Sequence, residues 1–297
     1  MPLQVVNLPL LNQKAEREMI KKFRHEHTWL SEVMSKNSWV NNDVIKIPVQ
    51  GAAPSVLINN NVYPIVSSQR EDGYVALSLN KYDTTNTDVT DDELYALPYE
   101  KVSDVQVQHR EELEEKTGEH ALHSIAPDEN TAETPVLEAT GPTRDGRKTL
   151  VTKDLIRYKE LLDNKKIPKR GRIMVLSPSH VADLLEEDTT FSRRYQNYGT
   201  GAIMENFYGF KTYETVYSPE FSVDGLKLPF DTTETGLLSS VVFHKRSVAK
   251  GRGTVTRYAR DAKTDPEYRK TTIGFRLWFI AVAFRSEGIG ALVSENV

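Results

Sequence analysis

The chain has 297 residues, enough for one large domain or two ordinary ones, and at that size about three quarters of the unfolded surface can be buried. Its 38% hydrophobic and 27% charged content excludes a collagen-like, coiled-coil or largely disordered chain, and the longest apolar run, Leu277 to Phe284, is too short for a membrane-spanning helix. The absence of cysteine excludes disulfides and sulfur-built metal sites, and 38 basic against 42 acidic side chains leave a net charge of -4, with no global positive field to hold nucleic acid.

The opening MPLQVVNLPLL has no basic leader and does not read as a signal peptide, so synthesis in a reducing cytoplasm and no membrane partner are expected. From Gln13 to Lys36 the chain lacks Gly and Pro, and Ile20, Phe23, His27 and Leu30 recur at helical spacing, which predicts an amphipathic arm helix. Its basic residues Lys14, Arg17, Lys21, Lys22 and Arg24 alternate with Glu16, Glu18 and Glu26, the pattern of a solvated face rather than a nucleic-acid stripe.

Residues 44–97 read as β-structure in three runs, VIKIPV, VYPIV and YVALSL, with turn signals at 51–54, 59–61 and 71–73. The polar run KYDTTNTDVTDDE that follows holds few core residues, so this hairpin has little of its own to pack on and is expected to rest on another chain. Tyr99 to Ala126 predicts the longest helix, about 42 Å at 1.5 Å per residue. Its apolar stripe of Val102, Val105, His109, Leu113 and Thr117 is thin, and Gly118 marks a possible bend.

Residues 127–148, rich in Pro, Gly, Asp and Thr, form the best domain boundary. Beyond it the pattern becomes α/β. Thr152 is placed as the cap of a helix through DLIRYKELLDN, IMVLS as a buried strand, and Ser177 and Pro178 as cap and first turn of a helix burying Val181, Leu184 and Leu185. Strands follow at 209–215, 241–244, 254–260 and 271–284. The last is apolar on both faces from Leu277 onward, which places it inside a sheet, antiparallel to 254–260. The fold class is α+β.

The chemistry-bearing patterns are sparse. His120 and His123 share a helix face but lack a third metal ligand, and His25, Glu26 and His27 are adjacent rather than i, i+4. Gly199-Thr-Gly201 and Gly251-Arg-Gly253 lack the third glycine of a dinucleotide loop. A hydrolytic set of Ser177, His180 and Asp183 fails because i, i+3 and i+6 positions do not converge on one atom. Arg193, Arg194, Tyr195 and Tyr198 interleave cations with aromatics and suit a protein interface. No catalytic, cofactor-binding or metal residue is assigned, which favours a structural or interaction protein over an enzyme.

From residue 96 onward the segment order resembles the tailed-bacteriophage major capsid protein family, whose fold is named after phage Hong Kong ninety-seven. RIMVLSPSHVADLLEEDTTF at 172–191 is similar to that family's strand, cap, helix and acidic Leu-Leu phrase. GTGAIMENFYGFKTYET at 199–215 and VVFHKRSVAKG at 241–251 resemble its later phrases. The hairpin then takes the place of the family's extended loop and Tyr99–Ala126 that of its spine helix.

The resemblance implies an N-terminal arm (1–43), an extended loop (44–97), a peripheral domain with the spine helix (98–148 and 254–284) and an axial domain (149–253 and 285–297). It also implies self-assembly through pentamers and hexamers into an icosahedral shell around phage double-stranded DNA, held by weak non-specific contacts, with a portal and a separate scaffold protein as partners and the virion as location. The expected intersubunit contacts are Val62, Tyr63, Ile65, Tyr74, Val75 and Leu77. An encapsulin-type nanocompartment shell resembles the same fold and is the alternative, with an uncharacterised hydrolase behind it.

Overall fold

A computed structural model of the protein describes residues 27–41, 44–49, 64, 73–90, 101–187, 206–265 and 267–295. Six strands, β1 (Met34–Ser35), β2 (Val40–Asn41), β3 (Val44–Val49), β4 (Gly73–Ser78), β5 (Asn80–Asp83) and β6 (Thr87–Thr90), precede the long helix α1 (Lys101–Ile125). Then come β7 (Val136–Glu138), β8 (Thr143–Arg144), β9 (Arg147–Lys148), α2 (Thr152–Asn164), β10 (Arg172–Leu176) and α3 (Pro178–Glu187). The chain closes with β11 (Asn206–Phe207), β12 (Phe210–Glu214), β13 (Ser239–His244), β14 (Val248–Arg260), β15 (Lys270–Ala283) and β16 (Ile289–Val293). This is the mixed α+β architecture expected.

Strands buried on both faces organise the molecule. A six-stranded mixed sheet runs β11-β12-β10-β13-β16-β7, and every residue of β10, β13 and β16 is buried. The period-two alternation of side chains divides β10 between two cores. Met174 and Leu176 join Leu155, Tyr158 and Leu162 of α2 and Val181 and Leu184 of α3, while Ile173 and Val175 join Leu122 and Ile125 of α1, with Trp29 from the arm. The sheet is therefore covered on both sides, which is why its strands read as continuous apolar runs.

The second sheet is built on β15, flanked by β14 on one side and by β5 and β6 on the other. Leu277, Phe279 and Ala281 of this central strand face the same core as α1, so strands more than 150 positions away in sequence do bury the helix's thin stripe.

Several expectations change. The predicted arm helix to Lys36 does not hold over its described end. Residues 28–32 form a 3₁₀ turn and Met34–Ser35 pair in parallel with Ala249–Lys250 of β14, because an edge strand offers backbone partners that a marginal helix cannot match. Residues 13–26 lie outside the described residues. The polar run after Leu79 is not a loop throughout. Asn80–Asp83 and Thr87–Thr90 add to β15, with only Val89 fully buried, so hydrogen bonding to an existing strand outweighs the lack of apolar residues.

The 127–148 boundary also contains structure. β7 pairs in parallel with β16, and β8 and β9 form a two-residue hairpin around Asp145 and Gly146, both at positive φ (50° and 76°) as a tight primed turn requires.

Two caps differ from expectation. Val151 rather than Thr152 stands before α2, and Asp154 Oδ2 accepts the Val151 N–H at 3.3 Å while its carboxylate also takes the N–H and hydroxyl of Thr140. Ser177 Oγ is buried and has no hydrogen-bond partner, so it does not cap α3; its N–H instead donates to Ser240 Oγ at 3.0 Å.

Candidate functional site

The hairpin of β3 and β4 is the one expected contact surface that the described residues reach. Its register pairs Ile45 with Leu77 and Ile47 with Val75, and directly opposed residues of an antiparallel pair share a face. Near the body of the protein that face is covered: Ile45 and Ile47 are buried against Leu79 and Ile280, and Leu77 is half-buried beside them. Across the ladder from the buried Ile47 that cover does not extend over β4, and Val75 is 47% exposed. Tyr74 sits on the opposite face, 67% exposed, with the Lys46 ammonium 5.4 Å from its ring centre.

The three described contact candidates therefore divide. Leu77 is largely spent on the chain's own core, whereas Val75 extends the same apolar stripe and Tyr74 marks the other side. Val62, Tyr63 and Ile65 lie outside the described residues, as do Arg193, Arg194, Tyr195, Tyr198 and the Gly199–Gly201 pattern.

Behind the hairpin, α1 is tied to each neighbour through a histidine, a pattern the sequence reading did not anticipate. The arm's His27 Nε2 donates to the Glu115 carbonyl at 3.0 Å, His109 Nε2 lies 3.0 Å from Thr87 Oγ1 of β6, and His120 Nδ1 lies 2.6 Å from the Tyr82 hydroxyl of β5. His123 Nε2 donates to the Leu228 carbonyl at 2.8 Å. His120 and His123 stack at 6.4 Å, and Phe230 meets both edge-on. Burial lowers the pKa of His109, His120 and His123, with Lys227 adding to the effect at the last two. Burial pushes the Tyr82 hydroxyl up to about 12. Among the described residues no group of three side chains is placed to hold a metal ion.

Gly118 acts differently from the bend expected there. A Cβ at this position would lie 2.1 Å from His27 Cδ2, so the glycine lets the arm's imidazole lie flat on the helix. The arm is further fixed by Glu32, whose Oε1 accepts from Lys211 Nζ at 2.6 Å and from the Tyr213 hydroxyl at 2.8 Å; the Lys211 hydrogen bond holds the Glu32 pKa down.

Ser177, His180 and Asp183 do not converge. His180 is fully buried with Nδ1 2.6 Å from Ser240 Oγ and Nε2 2.8 Å from Ser294 Oγ, and burial lowers its pKa to about 3. Asp183 takes both Arg147 guanidinium nitrogens, at 2.6 and 2.8 Å, and the Leu150 N–H at 3.1 Å. Together they fasten α3 to β13, to the β8–β9 hairpin and to the end of β16. Gly251 and Gly253 lie within β14, where Val40 and Trp278 would meet a Cβ at 2.9 Å, so they serve close packing and not a phosphate loop.

No family model and no curated protein matches the chain. Solved structures do. The capsid of cyanophage P-SCSP1u superposes with a TM-score of 0.68 at 13% identity, covering 96% of this chain and 93% of that one. The cyanophage Pam1 capsid superposes at 0.66 and 8% identity, covering 98% and 99%. The SrpI encapsulin of Synechococcus elongatus PCC 7942 superposes at 0.55 and 12% identity, covering 93% and 91%. The fold is that of the capsid shell proteins. Within that class it is the fold of the tailed-phage major capsid proteins, over nearly the whole chain.

Proposed function

We propose that the protein is a structural subunit, the major capsid protein of a tailed phage, that self-assembles through pentamers and hexamers into an icosahedral shell around double-stranded DNA. The observation that carries this reading is the reciprocal, nearly full-length match to phage capsid chains. The hairpin agrees with it, because an apolar stripe that outruns its own core is suited to a neighbouring copy.

In this reading residues 1–43 are the arm, 44–97 the extended loop, 98–148 and 254–284 the peripheral domain with α1 as spine, and 149–253 with 285–297 the axial domain. The pairing of β5 and β6 with β15 supports counting these two strands with the peripheral domain, at the end of the 44–97 segment. Val62, Tyr63, Ile65, Tyr74, Val75 and Leu77 are the proposed contacts, with Tyr74 and Val75 contributing most. The portal, a separate scaffold and weakly held DNA are the proposed partners, assembly takes place in the host cytoplasm, and the virion is the destination.

Negative-stain microscopy of the purified protein, together with its mass in solution, tests the proposal. Closed particles or rings of five or six support it, whereas a protein that stays monomeric with scaffold supplied refutes it. The superposition on an encapsulin supports a second reading, a compartment shell, at a lower TM-score. Particle contents separate the two: nucleic acid in a phage shell, protein in a compartment.

A further inference from the structure

The N-terminal half of α1 does not close fully onto the sheet beneath it. Between Ser103–Glu114 of the helix and the second half of β14 lies a groove of about 350 Å³. Val107, Leu113, Val255, Phe275 and Leu277 floor it, and Arg110 and Arg252 stand on its rim. Leu113 and Leu277 are buried, while Val255 is 49% exposed.

Two independent observations point to what this groove receives. The first is backbone. β15 pairs with β14 as far as Arg260, but β1 covers the other edge of β14 only at Ala249 and Lys250. From residue 254 to 260 that edge therefore has no strand partner among the described residues. Unpaired N–H and C=O groups beside an apolar cleft form a template for one more strand.

The second is charge. On the sheet face turned away from α1 the cations are paired: Arg260 with Asp265 at 3.2 Å, Lys270 with Asp88 at 2.6 Å and Arg276 with Asp83 at 2.5 Å. On the groove side they are not. Arg257 is in register with Phe275 and so leaves the sheet towards the groove. Arg110, Arg252 and Arg257 are exposed and meet no carboxylate among the described residues, in a chain whose net charge is -4. Glu114 is the one acid on the lining.

We propose that this groove docks an extended segment of a different polypeptide that adds as a strand along residues 254–260 of β14. The segment presents apolar side chains flanked by carboxylates: the apolar groups fill the cleft over Phe275 and Leu277, and the carboxylates meet Arg110, Arg252 and Arg257. The inference stands on the groove alone and does not depend on the shell reading.

Fluorescence anisotropy of the full chain at low salt tests it, with a labelled, end-blocked nonapeptide Asp-Thr-Leu-Thr-Val-Thr-Leu-Thr-Asp and a control carrying Lys in place of Asp. The aspartate peptide should bind at least tenfold tighter than the lysine peptide, and the double variant Arg110→Glu, Arg252→Glu should reverse the preference. Both substitutions are on exposed side chains, so the variant should keep the wild-type unfolding midpoint. Equal binding of the two peptides, binding of neither, or a preference unchanged in the variant would overturn the proposal. Sedimentation of wild type and of the same variant is the second arm: the same oligomeric state in both supports a separate partner, whereas a smaller species in the variant identifies the occupant as a second copy and overturns the proposal as stated.

Discussion

His180 sits where a protonatable ring is costly. With Ser240 and Ser294 on its two nitrogens and no solvent contact, the imidazole stays neutral in the folded protein down to a pKa of about 3, while in the unfolded chain it takes up a proton near its ordinary value of about 6.5. Below about pH 6.5 the unfolded state therefore binds more protons, and the stability that His180 contributes is present above that pH and is lost as pH falls. From pH 7 to pH 5 the loss should be about 2 kcal/mol, read as a drop in urea midpoint that His180→Gln flattens. Gly118 gives a prediction of opposite sign to helix propensity. Alanine at a free helical position would stabilise by about 1 kcal/mol, but here its Cβ runs into the His27 ring, so Gly118→Ala should destabilise by about 2 kcal/mol and expose the arm to protease. The bend predicted at Gly118 came from reading one element in isolation. What makes the glycine necessary is a ring 91 positions earlier, and no local spacing encodes that.

Elements here are joined by single polar links through apolar contacts. Asp183 of α3 has a fully buried side chain, and Arg147 is its principal counter-charge. Arg147→Leu leaves that carboxylate uncompensated and should cost about 3 kcal/mol, measured by denaturant unfolding. Arg144 bonds the solvent-exposed Glu186 and reaches Asp183 only at 3.8 Å, so Arg144→Leu should cost less than half as much. Along α1, the lowered pKa values of His109, His120 and His123 place their stabilising contribution above their ordinary titration range, and it declines as pH falls below that range. Protection factors in β5, β6 and around Leu228, which are already corrected for the slower intrinsic exchange at low pH, should therefore be smaller at pH 5 than at pH 7.5. The long helix, the Ser-Pro start of α3 and the central position of β15 were legible because each announces itself within a short window of sequence. β5 and β6 were not, because their strand character is conferred by β15, and the Asp145–Gly146 hairpin was overlooked although its dipeptide is a strong local signal. The caps at Thr152 and Ser177 had the right residue types, yet a carboxylate two positions on and a serine 63 positions on took the hydrogen bonds.

At the scale of the molecule the proposed role of the hairpin can be tested apart from folding. Val75 contributes little to the chain's own core, so Val75→Asp should leave the monomer within about 1 kcal/mol of wild type in thermal unfolding while abolishing closed particles in the microscope. Normal particle yield from that variant would remove the hairpin from the interface. The sequence suggested a hairpin with too little of its own to pack on, yet Ile45 and Ile47 are buried against Leu79 and Ile280 of the same chain. Which residues face outward was not readable there, because Val75 and Leu77 share one face and differ only in how far the core beneath them extends.

The order of the six-stranded sheet has a further consequence for synthesis. β16, residues 289–293, lies between β13 and β7, bonded to one antiparallel and to the other in parallel, and all five of its residues are buried. A nascent chain interrupted before this strand emerges from the ribosome leaves β7 without its neighbour and one edge of β13 open. Fragments of incomplete translation thus lack the finished sheet, and a chain cut before residue 289 should be digested by protease where the full chain resists it.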